Sequence, residues 1–306
     1  NKKGQTLISA DAARANKLQI NWAHYTPPKP AVLGRQVIEN MDIDALVPYI
    51  DWTPFFQTWD LIGSYPKIFD DEVVGTHAKA VFDDAQKMLA KIVSEKWLTA
   101  KGVYGLYPAH TVNDDEIVVY ADEAKTQELL RWNSGRQRNE KPVVDGVRRP
   151  NLSLVDFVAP ADSGQSDYVG MFAVTAGLAM EDRLAQFEAA HDDYNSIMFK
   201  ALADRLVEAF AEYLHEKIRK VDWGYAPNEQ LNAQQLIKEE YQGIRPAPGY
   251  PACPAHEIKT DLFRVLDADA IGMSLTESLA MWPASSISGF YFSHPDSRYF
   301  NVGTTV

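Results

Sequence analysis

The chain has 306 residues, and its 30 Lys plus Arg against 42 Asp plus Glu give a formal net charge of −12. This length predicts one large domain or two small ones, and 46% hydrophobic with 24% charged residues is typical of a globular protein. An acidic surface repels phosphate, so the composition disfavours nucleic acid as a partner. The single cysteine, Cys253, excludes an internal disulfide and a cysteine-rich zinc site.

The hydropathy of the chain and its two ends indicate its cellular location and its domain organisation. No apolar run approaches the ~20 residues that span a bilayer, and no charged-then-apolar leader opens the chain, so we expect no membrane partner and a cytoplasmic location. The chain begins with Asn1 and ends at Val306 without a capped helix, which indicates a piece of a longer protein. Prolines at 27, 28 and 30 favour an extended chain, so we predict a linker over 1–30 and one domain over 31–306.

Hydrophobic periodicity predicts helices and strands in irregular alternation. The predicted helices cover about 76–95, one long element from 181 to about 221, and a short one near 233–241. The predicted strands cover 103–107, 117–120, 152–158, 168–174, 262–266 and 287–292. Because strands and helices do not alternate regularly, we predict an α+β fold and not a doubly wound parallel sheet.

One segment, 133–150, is markedly basic in this acidic chain. It contains two acidic residues and five cationic ones. The cationic residues are Arg136, Arg138, Lys141, Arg148 and Arg149. We interpret the segment as a solvated loop.

Common nucleotide and hydrolase motifs are absent from the sequence. It has no G-x-G-x-x-G, no P-loop and no G-x-S-x-G nucleophile elbow. Zinc requires three or four ligands at short spacings, and only the pair Cys253 and His256 with a distant His191 is available, so we predict no metal site. We interpret His191 as a polar residue on a helix face and Cys253 as a small buried residue. A Cys253–His256 nucleophile pair remains an alternative, although no oxyanion site accompanies it.

The proline-rich loop 245–254 is the strongest candidate for a binding site. Its four prolines restrict the backbone, so we expect the N–H groups of Ala247, Gly249 and Tyr250 to point outward at fixed places. Gly249 allows close approach of a ligand to the backbone. The guanidinium of Arg245 can bind a carboxylate through two hydrogen bonds, and Tyr250 offers a flat face to a ring. The loop therefore suits an amino-acid carboxylate joined to a heterocycle, with a rigid turn and an ordinary Arg245 salt bridge as the alternative.

This loop and four other motifs resemble the C-terminal activation domain of cobalamin-dependent methionine synthase. The motifs are, in chain order, 51–56 (DWTPFF), 187–194 (FEAAHDDY), 223–229 (WGYAPNE), 245–254 (RPAPGYPACP) and 291–297 (YFSHPDS). The resemblance extends from about Trp22 to the end of the chain and departs from the family pattern at 133–150. It implies a C-shaped α+β domain around a twisted antiparallel sheet that binds S-adenosylmethionine without a Rossmann fold.

The resemblance also implies which residues contact the ligand. Arg245 would hold the methionine carboxylate, and Asp51 would hold the polar end of the ligand. Further backbone and ring contacts would come from Ala247, Gly249 and Tyr250.

Two pairs of residues complete the implied site. Tyr299 and Phe300 would close the pocket. Glu208 and Glu239 would place negative charge near the sulfonium, a fixed cation that nearby carboxylates favour. Without the resemblance, each of these carboxylates would be interpreted as a solvated surface charge.

The resembled enzyme is a methyltransferase, and the resemblance implies that this chain is its reactivation domain. In that enzyme, methyl passes from 5-methyltetrahydrofolate to homocysteine, and oxidation leaves inactive cob(II)alamin. Reactivation needs an electron from flavodoxin or a similar reductase and a methyl group from S-adenosylmethionine. The chain would position that methyl group and need no catalytic residue of its own. It lacks the D-x-H-x-x-G motif, so cobalamin would be carried by a neighbouring domain, and zinc is expected only in a domain absent here.

Two alternatives from other function classes remain at this point. In the first, the chain is a docking module for the reductase and the cobalamin domain, with little ligand binding of its own. In the second, it is a free-standing methyltransferase, which the absence of a catalytic base disfavours. Flavodoxins are acidic, so a reductase partner needs local positive charge on this chain. We hypothesise that the segment from Arg136 to Arg149 supplies it.

Overall fold

The centre of the fold is an antiparallel sheet, seen in a computed structural model that describes residues 6–303. The strands in chain order are β1 (Gly34–Met41), β2 (Thr99–Val112), β3 (Glu116–Tyr120), β4 (Glu128–Trp132), β5 (Val143–Val144), β6 (Val147–Arg148), β7 (Asp167–Leu178), β8 (Ser274–Leu275), β9 (Met281–Trp282) and β10 (Ser286–Tyr291). The main sheet has the order β10-β7-β2-β3-β4, and β1 also pairs with β2. The pairs β5-β6 and β8-β9 form two small separate sheets. The α+β class with an antiparallel sheet is thereby confirmed.

Helices cover the sheet and fill the connections between its strands. They are α1 (Ala10–Ala15), α2 (Ile43–Leu46), α3 (Thr53–Gln57), α4 (Gly75–Glu95), α5 (Glu181–Ala189), α6 (Asp193–Lys217), α7 (Ala233–Ile237) and α8 (Ile258–Leu266). One turn of π-helix, Ile218–Asp222, continues α6, and a short 3₁₀ helix spans Leu154–Phe157.

The main sheet separates two hydrophobic cores. Side chains alternate along β2 and β7, so that Tyr104 and Phe172 face the core formed with α4 and α6. Val103 and Ala173 face the opposite core, which α8 covers. Because both faces are buried, these strands are apolar almost throughout, which is why 103–107 and 168–174 were recognisable from sequence. The predicted strands 117–120 and 287–292 and the helix 76–95 are confirmed in β3, β10 and α4.

The prediction of one continuous helix over 181–221 is wrong. The stretch is two helices, because the chain breaks at His191, whose φ is +53°, and Asp192 then caps α6 by accepting from the Asn195 N–H at 3.1 Å. His191 therefore lies exposed in the connection and not on a helix face. The short helix predicted near 233–241 is confirmed as α7, although it ends at Ile237.

Two predicted strands are also wrong. Residues 152–158 contain the 3₁₀ helix, which is stabilised where Asp156 accepts from the Ser153 N–H at 3.1 Å. Residues 262–266 belong to α8, whose buried positions Ile258, Leu262 and Leu266 repeat every four residues. The apolar residues are thus real core positions, but their period is that of a helix.

The N-terminal segment packs against the domain over its described part. Ala13 of α1 is fully buried, and the Asn16 side chain donates to Asn151 Oδ1 at 2.7 Å. Near the end of the segment, the Trp223 indole donates to the Pro28 carbonyl at 2.9 Å. The linker over 1–30 and the domain over 31–306 stay predictions, and residues 1–5 and 304–306 lie outside the described part.

The basic segment 133–150 is only partly the solvated loop that its sequence suggests. Arg136 is 8% exposed, and its two Nη atoms donate to Asp156 at 2.7 and 2.8 Å. Arg136 therefore belongs to the interior. The hypothesis that its charge contributes to a reductase contact is wrong for this residue. Arg148 and Arg149 remain exposed at the β5-β6 hairpin.

Within residues 6–303 we find no helix with the length and apolar character needed to cross a membrane.

Candidate functional site

A cavity of about 550 Å³ opens between α6 and the loop 245–254. Its apolar walls include Phe172 of β7, Ala211 of α6 and Ile287 of β10. The structure brings seven of the nine predicted site residues to its lining, namely Glu208, Glu239, Arg245, Ala247, Tyr250, Tyr299 and Phe300. The residues come from three separate stretches of sequence, so their convergence is a property of the fold.

Asp51 lies in an adjoining cavity of about 290 Å³. That cavity shares Glu208, Glu239 and Arg245 with the first one, so the two form neighbouring compartments around the same three charged side chains. The second compartment is lined largely by polar and charged groups and also contains Tyr49. Asp51 therefore lies in a compartment lined by three of the other predicted site residues.

Gly249 is not among the residues that line either cavity, and its role in close ligand approach stays a prediction. Its φ is +91°, and its N–H donates to the Cys253 carbonyl at 2.9 Å within the loop. A Cβ at this position would lie 2.3 Å from Cε1 of His256. Glycine is thus required by the turn and by the close packing of the His256 ring.

The edge of the sheet holds the loop in place. Ile244 and Phe292 exchange two backbone hydrogen bonds of 3.0 Å, and the Phe290 N–H donates to the Pro246 carbonyl at 2.9 Å. The start of the loop thereby continues the sheet beyond β10. On the other side of the loop, the Val302 N–H donates to the Pro251 carbonyl at 2.9 Å, which explains how Tyr299 and Phe300 reach the cavity.

Hydrogen bonds inside the loop revise two predictions. The N–H of Tyr250 donates to the Ala247 carbonyl at 3.2 Å, so, like that of Gly249, it is used within the loop and does not point outward. Cys253 is 2% exposed, and its thiol donates to the Ala247 carbonyl at 3.0 Å. Burial raises the pKa of this thiol to about 12, which disfavours the nucleophile pair with His256.

Arg245 is held by several acceptors, so the salt bridge expected as the alternative is present. Its side chain is 18% exposed, and its Nη1 and Nη2 donate to the two carboxylate oxygens of Glu212 at 3.3 and 2.8 Å. Nη1 also donates to His215 Nδ1 at 2.9 Å and to the Tyr241 hydroxyl at 3.1 Å. The Arg245 N–H donates to the Tyr299 hydroxyl at 2.8 Å.

The Glu212 pair leaves part of the guanidinium available. Glu212 occupies the end-on pair of N–H groups, one on each Nη. The side-on pair, Nε–H with the second Nη2–H, makes no hydrogen bond within residues 6–303. This geometry matches a second carboxylate, because the side-on pair of an arginine binds two oxygens in parallel.

Glu208 and Glu239 have no hydrogen-bonding partner or ion pair for their carboxylates among residues 6–303. Desolvation by the surrounding protein raises the pKa of both carboxyl groups. Both side chains nevertheless stay accessible to solvent in the open cavity. Two carboxylates without partners beside an apolar wall form a favourable place for an organic cation.

Sequence reasoning missed Glu212, His215 and Tyr241. The signal for the first two was a stripe of polar residues along α6 and the following π turn, spaced by three or four and otherwise surrounded by buried apolar residues. The stripe consists of Arg205, Glu208, Glu212, His215 and Arg219. Such spacing places all of them on one side of the helix.

Across residues 6–303, no cluster of three or more His, Cys, Asp or Glu side chains has a geometry that would hold a metal ion.

Comparison with known proteins gives the family. A family model described as the vitamin B12-dependent methionine synthase activation domain matches residues 42–306. The chain belongs to this family of activation domains. The resemblance inferred from its motifs is confirmed. Methionine synthase is a methyltransferase, and a B12-dependent activation domain acts with a cobalamin domain.

A solved structure supports the assignment to the activation domain family. This is a crystal structure described as the MetH reactivation domain bound to AdoHcy, with 53% sequence identity and a TM-score of 0.93. The alignment covers 98% of this chain and 90% of that chain. The two share a mixed helix and sheet fold that is not of the Rossmann type.

Proposed function

We propose that this activation domain binds S-adenosylmethionine in the two compartments beside α6 and presents its methyl group for the reductive methylation of inactive cobalamin. The observation that carries the proposal is the convergence of seven predicted ligand contacts on one cavity with two unpaired carboxylates. The solved relative with AdoHcy supports the same ligand class, because AdoHcy is the product that remains after methyl transfer.

The charges of the site match the charges of this ligand. S-adenosylmethionine carries a carboxylate, an ammonium group and a sulfonium. The side-on N–H pair of Arg245 suits the carboxylate. Asp51 is available to the ammonium group. Glu208 and Glu239 favour the sulfonium, which cannot lose its charge by deprotonation.

The contribution of this chain to the reaction is positioning. Cobalamin, when brought by its own domain, supplies the nucleophilic cobalt, so no general base is needed here. The residues around the cavity bind the ligand at both ends and thereby orient the bond from sulfur to methyl. Tyr250 at 64% exposure and Tyr299 at 39% exposure lie at the open side, where a partner domain can approach.

Calorimetry with the isolated chain tests the function. We expect S-adenosylmethionine to bind, and Arg245→Ala to lose this binding. Glu208→Gln and Glu239→Gln should each weaken S-adenosylmethionine more than S-adenosylhomocysteine, because only the former carries the sulfonium. Glu240→Gln, at an exposed neighbouring position, is the control. A native chain that binds a reductase but neither ligand would instead support the docking module.

A flavodoxin-like reductase remains the proposed electron donor, and the exposed hairpin cations Arg148 and Arg149 remain its proposed contact. Reversing both charges should slow association at low salt and reduce its dependence on ionic strength. Unchanged association kinetics would remove the hairpin from the contact. The cytoplasm remains the proposed compartment, in keeping with the free buried thiol of Cys253.

A further inference from the structure

His215 lies directly behind Arg245 and is fully buried. Its ring stacks on Tyr291 with centroids 5.2 Å apart, and it meets the Tyr241 ring edge-on at 4.7 Å. Its Nδ1 is 2.9 Å from Arg245 Nη1. The imidazole thus connects the aromatic packing below the cavity with the guanidinium in the cavity wall.

The protonation state of His215 follows from this contact. A guanidinium is only a donor, so Nδ1 must be the acceptor and the ring proton must be on Nε2. The charged groups that act on the ring are Arg219 and Arg245, and the Arg245 guanidinium is itself paired with Glu212. Burial and these two cations hold the pKa of His215 well below its ordinary value. The imidazole is therefore neutral, as the hydrogen bond requires.

The distances show what His215 adds to the Glu212 pair. Glu212 Oε2 lies 2.8 Å from Nη2, but Glu212 Oε1 is farther from Nη1, at 3.3 Å. His215 Nδ1 lies 2.9 Å from Nη1. His215 is the nearest acceptor to Nη1, ahead of the Tyr241 hydroxyl at 3.1 Å and Glu212 at 3.3 Å, so it contributes most to fixing this end of the guanidinium. Fixing both ends sets the plane of the guanidinium and hence the direction of its unused side-on pair.

We propose that His215 is a positioning residue, whose neutral Nδ1 orients Arg245 so that its side-on N–H pair selects ligands that carry a carboxylate. This inference rests on the proposed binding of S-adenosylmethionine. It assigns to the buried histidine a role in specificity that differs from its role in packing. The two roles are separable because one depends on an acceptor atom and the other on an aromatic ring.

Two variants separate these roles. His215→Phe keeps the aromatic ring and its packing on Tyr291 but removes the acceptor. His215→Asn loses the ring but places an amide oxygen near the position of Nδ1, so that Arg245 keeps an acceptor. A purely structural role predicts that Phe is tolerated better than Asn in every measurement. A positioning role predicts the opposite order for carboxylate recognition.

The experiment compares S-adenosylmethionine with its decarboxylated analogue by calorimetry, alongside urea unfolding of each variant. We expect His215→Phe to reduce the preference for the carboxylate ligand about tenfold while binding of the analogue changes little. His215→Asn should retain most of the preference, even though it is the less stable variant. An unchanged preference in His215→Phe, or an equal loss in both variants, would overturn the inference. A native chain that binds neither ligand would overturn the proposed function and this inference together.

A measurement on the native chain covers the case in which a variant does not fold. Nitrogen-15 NMR of histidine-labelled protein should show an unprotonated Nδ1 and a protonated Nε2 for His215 throughout pH 6 to 8. An imidazolium, or the opposite tautomer, would overturn the assigned hydrogen bond and the positioning role with it.

Discussion

Glu212 and Arg245 form an ion pair in the wall of the candidate site, with Oε2 2.8 Å from Nη2 and Oε1 3.3 Å from Nη1. Their side chains are 12% and 18% exposed, so the pair is largely removed from water. Glu212 compensates the charge of Arg245. Because Glu212 accepts from one N–H group on each Nη, the side-on N–H groups remain available to a ligand. Glu212 thus stabilises the fold and occupies the end-on N–H groups of the guanidinium.

We expect Glu212→Ala to lower the free energy of unfolding by about 3 kcal/mol, because removing one partner leaves a buried charge without compensation. Urea unfolding measures the change. Glu240→Ala, at an exposed position beside the same cavity region, should cost less than about 0.5 kcal/mol. Equal stabilities for the two variants would mean that solvent already compensates Arg245.

The turn at Gly249 gives a second prediction. Gly249→Ala combines an unfavourable positive φ with a contact of 2.3 Å to His256, so it should displace the loop and weaken S-adenosylmethionine binding. Gly146→Ala is the matched control, since its φ is +78° but no atom lies within 4 Å of the added Cβ. It should cost about 1 to 2 kcal/mol of stability, from the left-handed backbone alone, and leave binding unchanged.

The contact with His256 is separable from the backbone strain by a double-mutant cycle. Adding His256→Ala to Gly249→Ala removes the clash but not the positive φ, so the double variant should regain part of the lost ligand affinity. Strictly additive effects of the two changes would show that the packing of His256 does not set the loop.

The sequence was most informative where the chemistry is local. The prolines and Arg245 marked the binding loop, and the strands buried on both faces were recognisable from their apolar runs. It was least informative where distant residues decide the outcome. The 3₁₀ helix Leu154–Phe157 depends on Asp156, whose partner Arg136 lies 20 residues away. Similarly, Arg245 meets Glu212 and His215 only after folding, 33 and 30 residues along the chain.

Arg136 gives a third prediction, because sequence alone would group it with the exposed cations of its segment. Arg136→Met should destabilise the fold by about 3 to 5 kcal/mol, since it leaves Asp156 buried at 1% side-chain exposure without its partner. Arg148→Met removes an exposed cation from the same segment and should change stability by less than about 0.5 kcal/mol. Thermal and urea unfolding of both variants measure the contrast, and similar losses would argue against the buried pair.

A fourth prediction concerns pH and Asp167, which is 3% exposed at the start of β7. Its two oxygens accept from the backbone N–H groups of Ala159 at 2.8 Å and Tyr168 at 2.7 Å. Burial nevertheless raises its pKa to about 7, against an ordinary value of about 4. The folded chain therefore retains a proton that the unfolded chain loses over this range.

The sign of the effect follows from proton linkage. Because the folded state binds more protons than the unfolded state between about pH 4 and pH 7, the contribution of Asp167 to stability falls as pH rises through this window and is constant above it. Asp167→Asn cannot titrate. Its stability relative to the native chain should therefore improve steadily from pH 4 to pH 7, superimposed on a constant cost from the amide that replaces one acceptor oxygen. Asp182→Asn, at an exposed position on α5, should show no such trend. Urea unfolding at a series of pH values measures the difference, and a stability difference for Asp167→Asn that does not vary with pH would show that the buried carboxyl is already ionised throughout.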